Sequence, residues 1–105
     1  MKVQYVGSVK VKESVVQSKI LKELKLKGCY VVKVQSASKA GVPDIIGCYK
    51  GKFLGIEVKT PETKTNVSEL QKINLDMISK AGGFTRVMWD YKEVENLLKE
   101  IDETI

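Results

Sequence analysis

Histidine is absent from all 105 residues, and that gap removes several familiar chemistries at once. Without an imidazole there is no His-based general acid, a serine nucleophile lacks its usual activating base, and zinc loses its commonest nitrogen ligand. Cysteine is nearly as scarce. Cys29 and Cys48 are the only two, each inside an apolar, strand-like run, so they read as buried free thiols rather than a disulfide or a metal pair. No run of about 18 apolar residues exists to span a bilayer, the opening residues 1–7 lack the apolar stretch of a signal peptide, and no internal repeat or low-complexity segment is present. The expectation is an intracellular protein with no membrane partner. With 43% hydrophobic content, residues 1–105 form one compact domain with a modest core.

Charge is distributed unevenly. Residues 1–52 carry 11 lysines against Glu13, Glu23 and Asp44, a net of +8, whereas residues 53–105 carry a net of −3. The first half is therefore the candidate phosphate-facing half, because lysines beside a nucleic-acid backbone supply sequence-independent, salt-sensitive affinity. Lys19, Lys22, Lys25 and Lys27 follow helical spacing and fit a solvated helix face as well as a nucleic-acid face. Lys33 and Lys39, which flank the stretch before Asp44, are the better candidates for DNA contact. Between them Ser36 and Ser38 lie in a loop of small residues able to pass close to a phosphate backbone; a plain turn explains each serine as well.

The periodicities give the order αβββαβα. Val16, Ile20 and Leu24 repeat every four residues in a helix from about Val11 to Lys27, stopped by Gly28. Glu13 projects along the same stripe, where a carboxylate is costly unless paired. Two readings stay open for it: a first-turn acid that snorkels outward to the helix dipole, or an acid aimed at a metal site. Cys29–Gln35 is the first strand. A second helix from about Ser68 to Lys80 turns Leu70, Ile73 and Met77 inward, with Ile78 as a further candidate, and stops at Gly82-Gly83. Ser68-Glu69-Leu70-Gln71 is a capping-box pattern, so Gln71 is either a cap or a support for catalysis, one amide not being expected to serve both. Phe84–Trp89 is the last strand, with Trp89 read as core or a dimer contact rather than a base-stacking platform. Asp90-Tyr91-Lys92-Glu93 reads as another capping box, opening a helix of Val94, Leu97, Leu98 and Ile101. The helix between the hairpin and the last strand is a crossover, so the sheet should be mixed and flanked by helices.

The central hairpin carries the chemistry. Asp44–Tyr49 and Phe53–Lys59 flank the short turn Lys50-Gly51. A two-residue turn pairs Tyr49 with Lys52, and that register carried back sets Asp44 opposite Glu57 on one face. Like charges directly opposite repel, an arrangement that makes sense if a divalent cation such as Mg²⁺ lies between them. Lys59 points to the same face about 7 Å along the strand. Leu54, Ile56 and Val58 form the opposite, core face, and Gly55 is expected to leave room above the site. Pro43 fixes the extended entry into Asp44.

Gly41-Val42-Pro43-Asp44, Gly55-Ile56-Glu57-Val58-Lys59-Thr60-Pro61 and the downstream Gln71 together resemble the VRR-NUC family of the PD-(D/E)xK nuclease superfamily, over roughly Glu13 to Trp89. What the resemblance implies is a restriction-endonuclease-like α/β core and a Mg²⁺- or Mn²⁺-dependent DNA endonuclease. It further implies a small stand-alone member of viral or bacterial type, similar to Holliday-junction resolvases, that works as a homodimer in a bacterial cytoplasm on branched DNA. In that frame Asp44, Glu57 and the Val58 carbonyl hold the metal, with Glu13 as a further acid. Lys59 assists the attacking water or the developing charge, and Gln71 sits beside it. Two competing readings remain: a non-catalytic nucleic-acid-binding module, and a nicking or flap-type nuclease of the same superfamily.

Overall fold

The computed structural model describes residues 11–105; the opening segment read above for a signal peptide lies outside the described residues. The elements follow the order α1 (Glu13–Leu26), β1 (Tyr30–Lys33), β2 (Ile45–Tyr49), β3 (Lys52–Val58), α2 (Glu69–Lys80), β4 (Phe84–Met88) and α3 (Glu93–Asp102). The strands form one mixed sheet in the order β1-β2-β3-β4, antiparallel except for the parallel β3–β4 pair made by the α2 crossover. This is the αβββαβα arrangement expected from the periodicities, and it is consistent with a restriction-endonuclease-like fold.

Each element has a local cause. Both α1 and α2 end in Schellman motifs. Gly28 and Gly82 adopt φ of 90° and 100°, which lets Cys29 N–H reach the Leu24 carbonyl at 3.0 Å and Gly83 N–H reach the Ile78 carbonyl at 2.9 Å. In the β2–β3 turn Lys50 and Gly51 take φ of 50° and 82°; two positive values in a two-residue loop suit the right-handed twist of the flanking strands. At the start of α3 the expected capping box does not form. Lys92 is the cap residue and makes no side-chain cap bond, because Asp90 Oδ1 accepts the Lys92 N–H at 2.9 Å in an Asx turn instead.

The core lies on one face of the sheet, where α1 and α3 bring Val16, Ile20, Leu24, Leu97 and Ile101 against Ile45, Leu54, Ile56, Val58 and Met88. Full burial of each large side chain stabilises the fold by ~1.5–3 kcal/mol. The other face is covered only in part, by α2 over β3 and β4. Here the expectation for α2 is corrected. Leu70, Ile73 and Met77 are 47%, 50% and 52% exposed, and the one buried residue of the helix is Asn74. Asn74 Nδ2 donates to the carbonyls of Leu70 (2.9 Å) and Ala40 (3.3 Å), so this side of the helix is turned to the sheet and the apolar stripe faces out. Ile78 supplies the apolar inward contact. It fills the space above Gly55, where a Cβ would stand 2.9 Å from Ile78 Cδ1 and 3.3 Å from Pro43 Cγ. Gly55 thus admits a helix rather than leaving room over the site. Cys29 is buried as expected, but Cys48 is exposed; it pairs with Tyr30 on the uncovered part of that face. Among the described residues no helix is long and apolar enough to cross a membrane.

Candidate active site

The hairpin register runs from Tyr49↔Lys52 to Ile45↔Ile56, and one further step sets Asp44 against Glu57 at the end of the ribbon. Asp44 is held from several directions. Its carbonyl accepts the Val34 N–H at 2.8 Å, its Oδ2 accepts the Val58 N–H at 2.8 Å, and Pro43 before it is fully buried. The carboxylate therefore has a fixed direction before any ligand arrives.

Glu57 is 3% exposed. Its Oε2 accepts a hydrogen bond from Gln71 Nε2 at 2.9 Å, while its Oε1 is buried with no partner. Burial, followed by the adjacent Asp44 charge, pushes its pKa up to about 8 against the pull of Lys59. Two carboxyl groups this close share a proton when nothing else neutralises them. Glu13 joins the same field from the first turn of α1. It is solvent-exposed, yet its pKa is raised by partial desolvation and then by Asp44, with Lys59 opposing. Asp44, Glu57, Glu13 and Lys59 thus sense one another at one end of the sheet. Among the described residues, however, no three acidic or sulfur side chains lie close enough to hold one ion, so the compact pair is Asp44 with Glu57, and Glu13 stands outside it.

Gln71 overturns the expectation that one amide fills one role. Its backbone N–H donates to Ser68 Oγ at 3.1 Å and its Oε1 accepts the Ser68 N–H at 2.9 Å, completing the capping box. Its Nε2 is then free to hold Glu57. An amide has an acceptor end and a donor end, and both are used. The start of α2 is tied directly to the buried carboxylate.

Val58 closes β3, and just beyond it the Lys59 N–H donates to the Met88 carbonyl at 2.9 Å. The chain then turns at once: Thr60, 6% exposed, donates its N–H to Thr63 Oγ1 at 2.9 Å. Of the basic candidates, Lys33 pairs with Ile45 next to Asp44, whereas Ser36, Ser38 and Lys39 lie at exposed positions of the 34–43 loop. Neither Lys33 nor Lys39 forms an ion pair among the described residues. Sequence reasoning missed Asn74, which ties that loop to α2 through Ala40; its only signal was a lone amide between Ile73 and Leu75.

A family model described as archaeal Holliday junction resolvase (Hjc) matches residues 8–104. No curated protein matches the chain. The match agrees with the PD-(D/E)xK superfamily expected from the motifs, but it points to a different branch from VRR-NUC, and it lends no support to a viral or bacterial type. The motif residues themselves do not separate the branches, since the metal chemistry that selects Asp, Glu and Lys at this spacing is common to the superfamily.

Proposed function

The chain belongs to the archaeal Holliday junction resolvase family, whose members are nucleases acting on DNA, and from that premise we propose that it is a divalent-metal-dependent endonuclease that cuts branched DNA as a homodimer. The observation that carries the catalytic part is the buried Glu57 carboxylate facing Asp44 with one oxygen unpartnered. A buried acceptor without a partner is costly, and two abutting carboxylates are an unstable pair unless a positive charge joins them. Their hard oxygen donors fit Mg²⁺ or Mn²⁺.

Asp44 and Glu57 are the proposed ligands. Val58 adds its carbonyl, because its N–H already points to Asp44 and the two groups of one strand residue leave on the same edge. When bound, such an ion neutralises phosphate charge and lowers the pKa of a water. Lys59, whose charge reaches Glu57 and Glu13, is proposed to act in one of two ways: to orient the attacking hydroxide, or to offset the charge that builds on the phosphoryl oxygens. Gln71 keeps Glu57 aimed, and Glu13 adds negative potential at the mouth. Lys33 at the end of β1 and Ser36, Ser38 and Lys39 on the loop that follows are the proposed backbone contacts, the base of that loop being hydrogen-bonded to Asp44.

The dimer is proposed to form on the incompletely covered sheet face. There Tyr30, Val32, Phe53, Leu70, Ile73 and Met77 are all more than a third exposed, and apolar side chains left open in such number on one side mark an interface. The test is cleavage of a four-way junction, a flap, a linear duplex and a single strand with Mg²⁺ or Mn²⁺, alongside Glu57→Ala and Lys59→Ala. Junction cleavage that needs the ion and both side chains is the expected result; wild-type rates from either variant would refute the assignment.

A further inference from the structure

Beside the proposed catalytic end of the sheet lies a second feature that the reading above leaves unused. It is a hollow of about 280 Å³ between the start of α1, the turn after Lys59 and the β4–α3 connection. Its apolar wall includes Val15, Pro61, Trp89 and Tyr91, and Lys19 and Lys92 stand at its rim. Lys64 lies over the Trp89 ring, 5.2 Å from its centre. Asp90, the one acid among the lining residues, has an oxygen committed to the Lys92 N–H. Three ammonium groups around an aromatic wall match the chemistry of a nucleotide, whose flat base seeks an aromatic face and whose phosphate seeks cations.

The volume is slightly below that of drug-sized pockets and suits a single heterocycle. Trp89 follows Met88, whose carbonyl bonds to Lys59 N–H, and Pro61 lies two residues after Lys59. The hollow and the proposed scissile position are therefore neighbours on one strand path. Tyr91 is 39% exposed and Trp89 is half-buried, so both rings are open to a ligand. An exposed lysine over an aromatic ring contributes only a weak attraction, so Lys64 can leave the ring for a phosphate when a base arrives.

We infer that this hollow receives one unpaired base of the DNA strand that runs through the proposed active site, stacked on Trp89 and flanked by Tyr91, with Lys19, Lys64 and Lys92 on the adjoining phosphates. The inference rests on the nuclease reading for the identity of the strand, and it makes the protein a sensor of unpaired bases at a branch point. Fully paired duplex has no base to offer.

Trp89 is the sole tryptophan of the chain, so its fluorescence reports on this hollow alone. The full protein in EDTA is titrated with a paired duplex, with the same duplex ending in splayed single-stranded arms, and with arms in which the bases are replaced by abasic sites. Quenching by base-bearing arms only is the expected result. Equal quenching by abasic arms, or none by any DNA that binds, overturns the proposal. Trp89→Ala is expected to weaken binding of the splayed DNA by roughly tenfold and of the duplex hardly at all, with Trp89→Phe recovering most of the loss. Equal weakening for both DNAs from a folded Trp89→Ala protein also overturns it; should that variant not fold, Trp89→Phe and the wild-type titration decide. Selective quenching without metal-dependent cleavage would defeat the nuclease reading and leave the base site standing, and cleavage without quenching would do the reverse.

Discussion

In metal-free solution, Glu57→Gln is expected to make the protein more stable above neutral pH while abolishing its activity. In the unfolded chain Glu57 ionises near its ordinary value of 4.5, but in the folded chain only near about 8. Between those values the folded protein holds a proton that the unfolded chain has released, so stability falls as pH rises from one to the other and stays low beyond. At ~1.4 kcal/mol for each pH unit, the interval sets an upper bound of about 5 kcal/mol, and sharing of the proton with Asp44 makes the increment smaller than this. Glutamine keeps the shape, accepts from Gln71 Nε2 through its carbonyl and donates to Asp44 through its amide. Urea unfolding in EDTA at about pH 5 and about pH 9 should show the wild type losing this increment and the variant keeping it. Added Mg²⁺ should reverse the ranking, since it replaces the shared proton only in the wild type. Parallel wild-type and variant stabilities across this range would refute the account of Glu57 as a carboxyl strained by burial and by Asp44.

Other outcomes separate the roles of neighbouring residues. Ser68→Ala removes the α2 cap and should cost about 1 kcal/mol of stability, read by thermal melting, with a smaller loss of Mg²⁺-dependent cleavage than Gln71→Leu, which also frees Glu57. Gly47→Ala places a Cβ on the Tyr30 carbonyl oxygen, a backbone atom that cannot swing aside; soluble yield and melting should show loss of more than about 3 kcal/mol. Gly55→Ala meets only the flexible end of Ile78 and the Pro43 ring, and should cost about 1–2 kcal/mol in the same measurements. Ile73→Asp or Met77→Asp should halve the sedimenting mass without unfolding the monomer, because both side chains are half exposed; an unchanged mass would move the dimer contact elsewhere.

The hairpin was legible because several local signals agreed: a two-residue turn with glycine, strict alternation on β3 and a proline before Asp44 all specify one register. The partners within the site followed from that register alone. The orientation of α2 was not legible. Leu70, Ile73 and Met77 form a faultless apolar stripe, but periodicity records only that a face avoids water, and a second molecule satisfies it as well as a core does. Asn74 marks the orientation through a hydrogen bond to the Ala40 carbonyl, 34 residues away, which no window along α2 contains. The double duty of Gln71 escaped because a capping pattern uses only one end of the side chain. Cys48 escaped because its partner strand leaves that face bare, and the hollow beside Trp89 because it joins three distant segments.

The run from Lys52 to Glu57 acts as a ruler whose parity is fixed. Successive residues of a strand face opposite ways, so losing or gaining one residue between the turn and Glu57 would bury the acid among Leu97 and Ile101 and set an aliphatic chain opposite Asp44. A substitution along the ribbon leaves that facing intact, whereas a single-codon insertion or deletion in β3 reverses it, and only paired changes restore it.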